Sequence, residues 1–489
     1  MITMAKLSVN IAIKGLTIGL LGIAACPVTG QTTFLRLHPD NPHYFQWQGK
    51  PTVLITSGEH YGAVLNLEFD YRKYLDTLAA DSLNLTRTFS GVYCEDPAAF
   101  NITDNTLAPK EGQLICPWQR SDKPGYGGGG NRFELTKWND DYFSRLEDFI
   151  THAKRRGVVV EFVLFCPMYR DSMWDLSPMK ASNNVNDIGD VPREEVYTLK
   201  HPDLLAVHLA FTRKVVHELR AFDNLYYEVC NEPYFGGVTM DWQHKIVDCI
   251  VEAERDFPEK HLISLNIANG RQQVTSPHPA VSIFNFHYCV PPDTVAINYG
   301  LKKIIGENET GFRGSDDLLY RTEGWDFMLA GGALYNNLDY SFSAKHPAGT
   351  FSGYTSPGGG SPALRKQLAI LKRFVESTDF LRMQPQSDFV TSVKPDLTTT
   401  FMAQPDKQYV GYLHIPLPNR PKKISDHLRE GITAQLKLSL PAGTYQIHWW
   451  NTLTGDVTTM SAIKHDGGTL DLTSPAFDND IAVKISVEE

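Results

Sequence analysis

The strongest constraint on this chain is its rhythm. From about residue 50 to about residue 380, short apolar runs rich in β-branched residues alternate with stretches of helical spacing. One unit shows the logic. Phe143, Leu146, Phe149, Ile150 and Ala153 recur at intervals that place them on one helix face. Gly157, just after Arg155 and Arg156, reads as a helix stop. The run VVVEFVLF at 158–165 follows, and a strand covered on both faces reads as such a continuous apolar segment. Eight segments of this kind occur, at 52–57, 82–89, 158–165, 224–231, 261–268, 281–288, 302–309 and 333–342. Helical stretches separate most of them, clearest at 204–222, 242–256 and 318–330. Parallel strands need such crossovers. Eight units predict a (β/α)8 barrel, class α/β. A doubly wound open sheet would put a Gly-rich phosphate loop after the first strand, but Gly58-Glu59-His60-Tyr61 stands there.

After a last helix at 361–377 the texture changes. Short alternating runs with Gly- and Pro-containing turns predict an all-β sandwich over 386–489, behind a barrel domain at 31–385 that begins with a short hairpin. Residues 1–30 read as a leader: Lys6 and Lys14 precede an apolar run at 16–25 that is too short to span a bilayer. Two processing sites compete. Ile23-Ala24-Ala25-Cys26 resembles a lipoprotein box and would leave a lipid anchor on Cys26, whereas Val28-Thr29-Gly30 resembles an ordinary cleavage site before Gln31. Either implies export, to a bacterial periplasm or outer membrane or to the medium.

A net charge of −10 argues against a nucleic-acid partner. The cysteines beyond the leader show no CxxC spacing and no HExxH is present, so neither a metal nor another cofactor is expected. Cys94 and Cys116 flank one loop and read as a disulfide or as two of six buried thiols. The Gly-rich stretches 125–130 and 358–360 lack the Lys-Ser/Thr of a phosphate loop and read as mobile loops.

Barrel enzymes carry their chemistry where strands end at the C-terminal face. The polar residues there are Glu59 and His60, Arg87, Asn231 and Glu232, His287 and Tyr288, Glu307 to Glu309, and Asp339 with Tyr340. Carboxylates ending two different strands suit glycoside hydrolysis, in which one protonates the leaving oxygen and the other attacks carbon or activates water. Asn231-Glu232-Pro233 and Glu309-Thr310-Gly311, with Arg87 and His287-Tyr288, resemble the signatures of clan A retaining glycoside hydrolases, a cellulase-like, family 5-like barrel. The C-terminal segment, through GTYQIHWWNTLTG at 443–455, resembles the β-sandwich that follows such barrels.

The resemblance implies Glu232 as general acid/base with a raised pKa, Glu309 as nucleophile kept ionised by Arg87, and a carbohydrate substrate. It implies that Asn231 bonds a sugar hydroxyl and that His287 and Tyr288 orient the site. Glu59 and His60 are further substrate-binding candidates. Glu307 lies two residues from Glu309, and alternation alone points both the same way. Where the clan often carries a tryptophan after strand eight, Tyr340 or Trp325 is expected to floor the sugar site. The alternative from another class is a non-catalytic carbohydrate-binding protein on an inactive barrel, against which the presence of both carboxylates weighs.

Overall fold

The computed structural model describes Met1 and residues 33–488; the leader and Cys26 lie outside the described residues. Residues 33–488 belong to one compact unit. Eight parallel strands make its centre: β1 (Leu54–Gly58), β2 (Leu85–Phe89), β3 (Val159–Phe165), β4 (Leu225–Cys230), β5 (Ile263–Asn269), β6 (Ile283–His287), β7 (Ile304–Glu309) and β8 (Leu334–Leu338). Each neighbours the next, and β8 pairs with β1. The β1–β2 seam closes through Asn84, whose backbone N–H donates to Ile55 O (3.3 Å) while its side chain accepts from Ile55 N and donates to Val53 O. Nearly every strand residue is buried, as a sheet lined inside by side chains and outside by helices requires.

The helices α1 (Tyr71–Ala80), α2 (Asp140–Arg155), α3 (Pro202–Leu219), α4 (Met240–Ala253), α5 (Asp293–Asn298), α6 (Asp317–Leu329) and α7 (Pro362–Glu376) follow every strand but β5, whose connection to β6 is irregular. Asp70, Thr239, Asp316 and Ser361 cap four of them by accepting from a backbone N–H in the first turn.

Both glycine-rich segments lie in turns or irregular backbone, as loops. Residues 125–130 turn a hairpin between strands Trp118–Pro124 and Asn131–Trp138. Gly360 has φ +114°, and a Cβ there would fall 2.3 Å from Asp339 Oδ1. All six described cysteines are buried free thiols, so the Cys94–Cys116 disulfide does not form in this structure.

The C-terminal region is an antiparallel sheet that folds over its own core. Its first strand, Gln384–Pro385, pairs with β10; β9 (Val390–Lys394), β10 (Thr398–Gln404), β11 (Gln408–His414), β12 (Gln435–Asn451), β13 (Ile463–Thr473) and β14 (Asp480–Val487) make up the rest, apart from the short edge strand Val457–Thr459. The long strand β12 pairs with β13 over its first part and with β14 over its second. Its buried positions shift from 436, 438 and 440 to 445, 447 and 449, a change of parity that turns the strand while keeping both halves on one core. Trp449 belongs to that core, while Trp450 packs edge-on against Phe374 of α7.

Sheet and barrel are joined by buried polar bonds. Arg321 of α6 holds Asp480 through two hydrogen bonds of 2.6 and 3.0 Å, and Tyr412 adds a third at 2.8 Å. Asp326 accepts from Thr400 and bonds His414.

Candidate active site

Inside the barrel, alternation on the strands points Arg87 (β2), Glu161 (β3) and Glu228 (β4) toward one another. Asn285 and Asn308 each donate to both Glu161 and Glu228. Burial, with the charge of Glu228 next to it, raises the Glu161 carboxyl well above its usual range. Desolvation is the largest influence on Glu228 and raises it, but the Arg87 charge together with hydrogen bonds from Glu161, Asn285 and Arg87 outweighs it and holds the carboxyl below the ordinary value. Two carboxylates this close in a dry interior share one proton, and the cation selects which keeps it. Glu161 and Glu228 were missed by reading strand ends alone. Their signal was a charge in the middle of an apolar strand, in VVVEFVLF and LYYEVC.

Arg87 carries this layer upward. Its Nη1 donates to Glu309 Oε2 (3.1 Å) and its Nη2 to Asn231 Oδ1 (2.7 Å). Asn231 Nδ2 donates to the Tyr169 hydroxyl (2.9 Å), which donates to Glu232 Oε2 (2.6 Å). One chain of hydrogen bonds therefore links the two candidate carboxylates through Arg87, Asn231 and Tyr169. His287 closes the ring: its Nδ1 lies 3.3 Å from Glu232 Oε1 and 3.7 Å from Glu309 Oε1. Tyr288 donates to Glu309 Oε1 (2.6 Å) and Tyr234 to Glu232 Oε1 (3.1 Å).

Oxygens of Glu232 and Glu309 and a ring nitrogen of His287 all fall within 4.8 Å of one another. That spacing is compatible with a divalent cation. The oxygens already receive donors from Tyr169, Tyr234, Tyr288 and Arg87, however, and the guanidinium opposes a second positive charge.

Burial raises the Glu232 carboxyl, but hydrogen bonding and charge from His287, with the hydroxyls of Tyr169 and Tyr234, outweigh it. The net direction is below the ordinary value, which corrects the raised pKa expected from sequence.

The choice between Glu307 and Glu309 is made by a bulge. Phe286 pairs with Glu307 but His287 pairs with Glu309, so one extra residue enters β7 there. Alternation sends Asn308 inward and Glu307 outward, where it accepts from Cys289 N (2.5 Å) and meets Glu323 of α6. Burial and the Glu323 charge hold Glu307 well above the usual range. The bulge then turns Glu309 into the barrel mouth, so the two carboxylates do not point the same way.

A pocket of about 620 Å³ opens over Glu232 and Glu309. His60, Asn231, Tyr288 and Tyr340 line it, as does Glu95, while the rings of Tyr61, Phe89, Phe100, Tyr169, Phe235 and Phe312 supply apolar walls. Phe100 comes from the β2–α2 connection and Tyr169 from the β3–α3 connection. Glu232, Tyr288, Tyr61, Phe100 and Phe312 all have φ between 33° and 66°, a strained region for such side chains that gathers at functional sites.

Two sequence candidates lie elsewhere. Glu59 is buried beneath the mouth, where it accepts from Gly62 N, Ala63 N and Thr106 Oγ1; burial pushes it up to about 7. Trp325 is on α6, stacked on Tyr412 of the C-terminal sheet at 5.2 Å, and does not line the pocket. It packs the two regions together, and Tyr340 alone of the pair reaches the sugar-sized space. His60 pairs with Glu95 at 3.3 Å, a buried acid that sequence reading overlooked.

This closed parallel barrel with its appended antiparallel sheet shares its fold with solved glycoside hydrolases. A solved glycoside hydrolase superposes over 93% of this chain and 97% of its own, with a TM-score of 0.60 and 11% identity. A family 5 glycoside hydrolase from Bacteroides vulgatus does so over 93% of each chain, with a TM-score of 0.61 and 10% identity. No family model and no curated protein matches the sequence.

Proposed function

We propose that this chain is a retaining glycoside hydrolase that cleaves O-glycosidic bonds of a poly- or oligosaccharide by double displacement. The observation that carries the reading is the approach of Glu232 and Glu309, with oxygens within 4.8 Å, over one aromatic-walled pocket. Retaining enzymes hold their carboxyl groups about 5–5.5 Å apart and inverting ones about 6.5–9.5 Å, to leave room for water. Glu309, fixed by Arg87 and Tyr288, attacks the anomeric carbon; Glu232 protonates the leaving oxygen and then deprotonates the water that releases the sugar. Asn231 and Tyr169 keep the carboxylates in register. A sugar entering the pocket takes over some of the hydrogen bonds that now depress Glu232 and displaces water, both of which bring its pKa up toward that of a working acid. The leader read from the sequence supports a site of action outside the cytoplasm.

The test is turnover on a panel of polysaccharides and aryl glycosides. Glu232→Gln is expected to lose about 10²–10⁴-fold on substrates with poor leaving groups and less on activated aryl glycosides in the first step. Glu309→Ala is expected to be inactive, with azide restoring turnover and giving a product of inverted configuration. Equal loss on both substrate types, or rescue without inversion, overturns the roles. EDTA is expected to leave the rate unchanged; a loss restored by a divalent cation would instead put a metal between Glu232, His287 and Glu309.

A further inference from the structure

Two residues of the pocket wall come from outside the barrel. Asn419 and Arg420 line the same space as Glu232 and Glu309, and they belong to the connection between β11 and β12 of the C-terminal sheet. That connection is tied down at both ends. Ile415 N donates to Asn479 O, Arg429 N to Asn479 Oδ1 and Gly431 N to Asp478 Oδ1. Its tip is held from the barrel side, where buried Arg313 donates from Nε to Asn419 O (2.7 Å) and from Nη1 to Glu323.

The tip is basic in an acidic protein. Arg420-Pro421-Lys422-Lys423 places three cations in four positions of a chain whose net charge is −10. Among the described residues Arg420 and Lys422 have no acidic partner, and Lys423 has only an exposed Asp426 at 3.7 Å. The pocket interior has the opposite sign, with Glu95, Glu232 and Glu309 all lining it. An anionic group would be repelled by those acids and drawn to the rim.

We propose that this basic tip is a binding subsite for an anionic group of the glycan, the carboxylate of a uronic acid or a sulfate ester, and that the C-terminal sheet is thereby part of the active site. The proposal rests on the glycosidase reading only for its substrate being a glycan. The ring that reacts sits beside the carboxylates, and the charge on it or on its neighbour lies against Arg420. Arginine suits the task because its planar donors match a carboxylate or sulfate two bonds at a time. Burying Arg321, Asp480 and Trp325 between barrel and sheet holds the tip at a set distance from the reacting groups.

The experiment measures binding and turnover by the intact protein and by Arg420→Ala/Lys422→Ala on three probes: polygalacturonate, a sulfated galactan and neutral mannan. One anionic glycan is expected to bind at least tenfold more tightly than mannan, and more weakly as salt rises. The double variant is expected to lose about tenfold of that affinity, seen in turnover mainly as a higher KM. Which anionic glycan binds decides between carboxylate and sulfate. Mannan bound as well as both anionic glycans, or anionic affinity untouched by the double variant, overturns the subsite. Binding that follows the expected pattern with no hydrolysis on any glycan overturns the glycosidase reading and leaves the subsite standing. Hydrolysis of an anionic glycan with the same KM in both proteins does the reverse.

Discussion

Glu232 receives three side-chain partners at once, from His287, Tyr169 and Tyr234, and for that reason its carboxyl sits low although it is buried. The direction has a kinetic consequence. A general acid must be protonated, so the rate falls as pH rises through its pKa. The profile of kcat/KM reports the free enzyme and that of kcat the loaded one. The alkaline limb of kcat is therefore expected at higher pH than that of kcat/KM. Tyr169→Phe removes a 2.6 Å donor to the ionised form and is expected to raise the limb of kcat/KM by roughly one pH unit. A limb that stays put or moves down would show that Glu232 is not the group titrating.

At the level of elements, the decisive one is β7. A regular strand would leave Glu309 facing the helices with Glu307, and the extra residue beside His287 re-aims it. Burial and the Glu323 charge raise the Glu307 carboxyl, which favours its neutral form, so the amide of Glu307→Gln replaces it closely. Unfolding free energy is expected to change by about 1 kcal/mol or less, with kcat within a few-fold of the unaltered protein. Glu309→Gln is expected to lose at least about a thousandfold with little change in stability. Reversed outcomes for the pair would mean that the strand continues without the bulge.

Across the whole molecule, barrel and sheet are expected to unfold together. Arg321 and Asp480 are both buried at their junction, beside the stack of Trp325 on Tyr412. Arg321→Met strands a buried carboxylate and is expected to cost about 3–5 kcal/mol in urea unfolding, still in one transition. Two separated transitions, with the loss confined to one, would mean that the sheet is an independent module. Joint unfolding also bears on the subsite, because a tip carried by the sheet can serve the pocket only while the junction holds.

Much of this organisation was legible in the chain. Eight apolar runs separated by helical spacing determine a parallel sheet covered on both faces, and Gly58-Glu59-His60-Tyr61 in place of a phosphate loop favours the barrel over a doubly wound sheet. The order of polar residues at the strand ends was legible too, and from it the candidate ring of Arg87, Asn231, Glu232, His287, Tyr288 and Glu309. What only the tertiary structure decided depends on partners far along the chain. A bulge is set by the register of a neighbouring strand, so Glu307 and Glu309 parted only when β6 lay beside β7. Trp325 went to the junction and Tyr340 to the pocket because the sheet packs on α6, which the spacing of those two residues does not encode. The Glu232 carboxyl went down rather than up because its donors arrive from three separate segments. Local pattern determines which backbone is made; the environment of a side chain is a sum over distant neighbours, and it exists only once the chain has closed on itself.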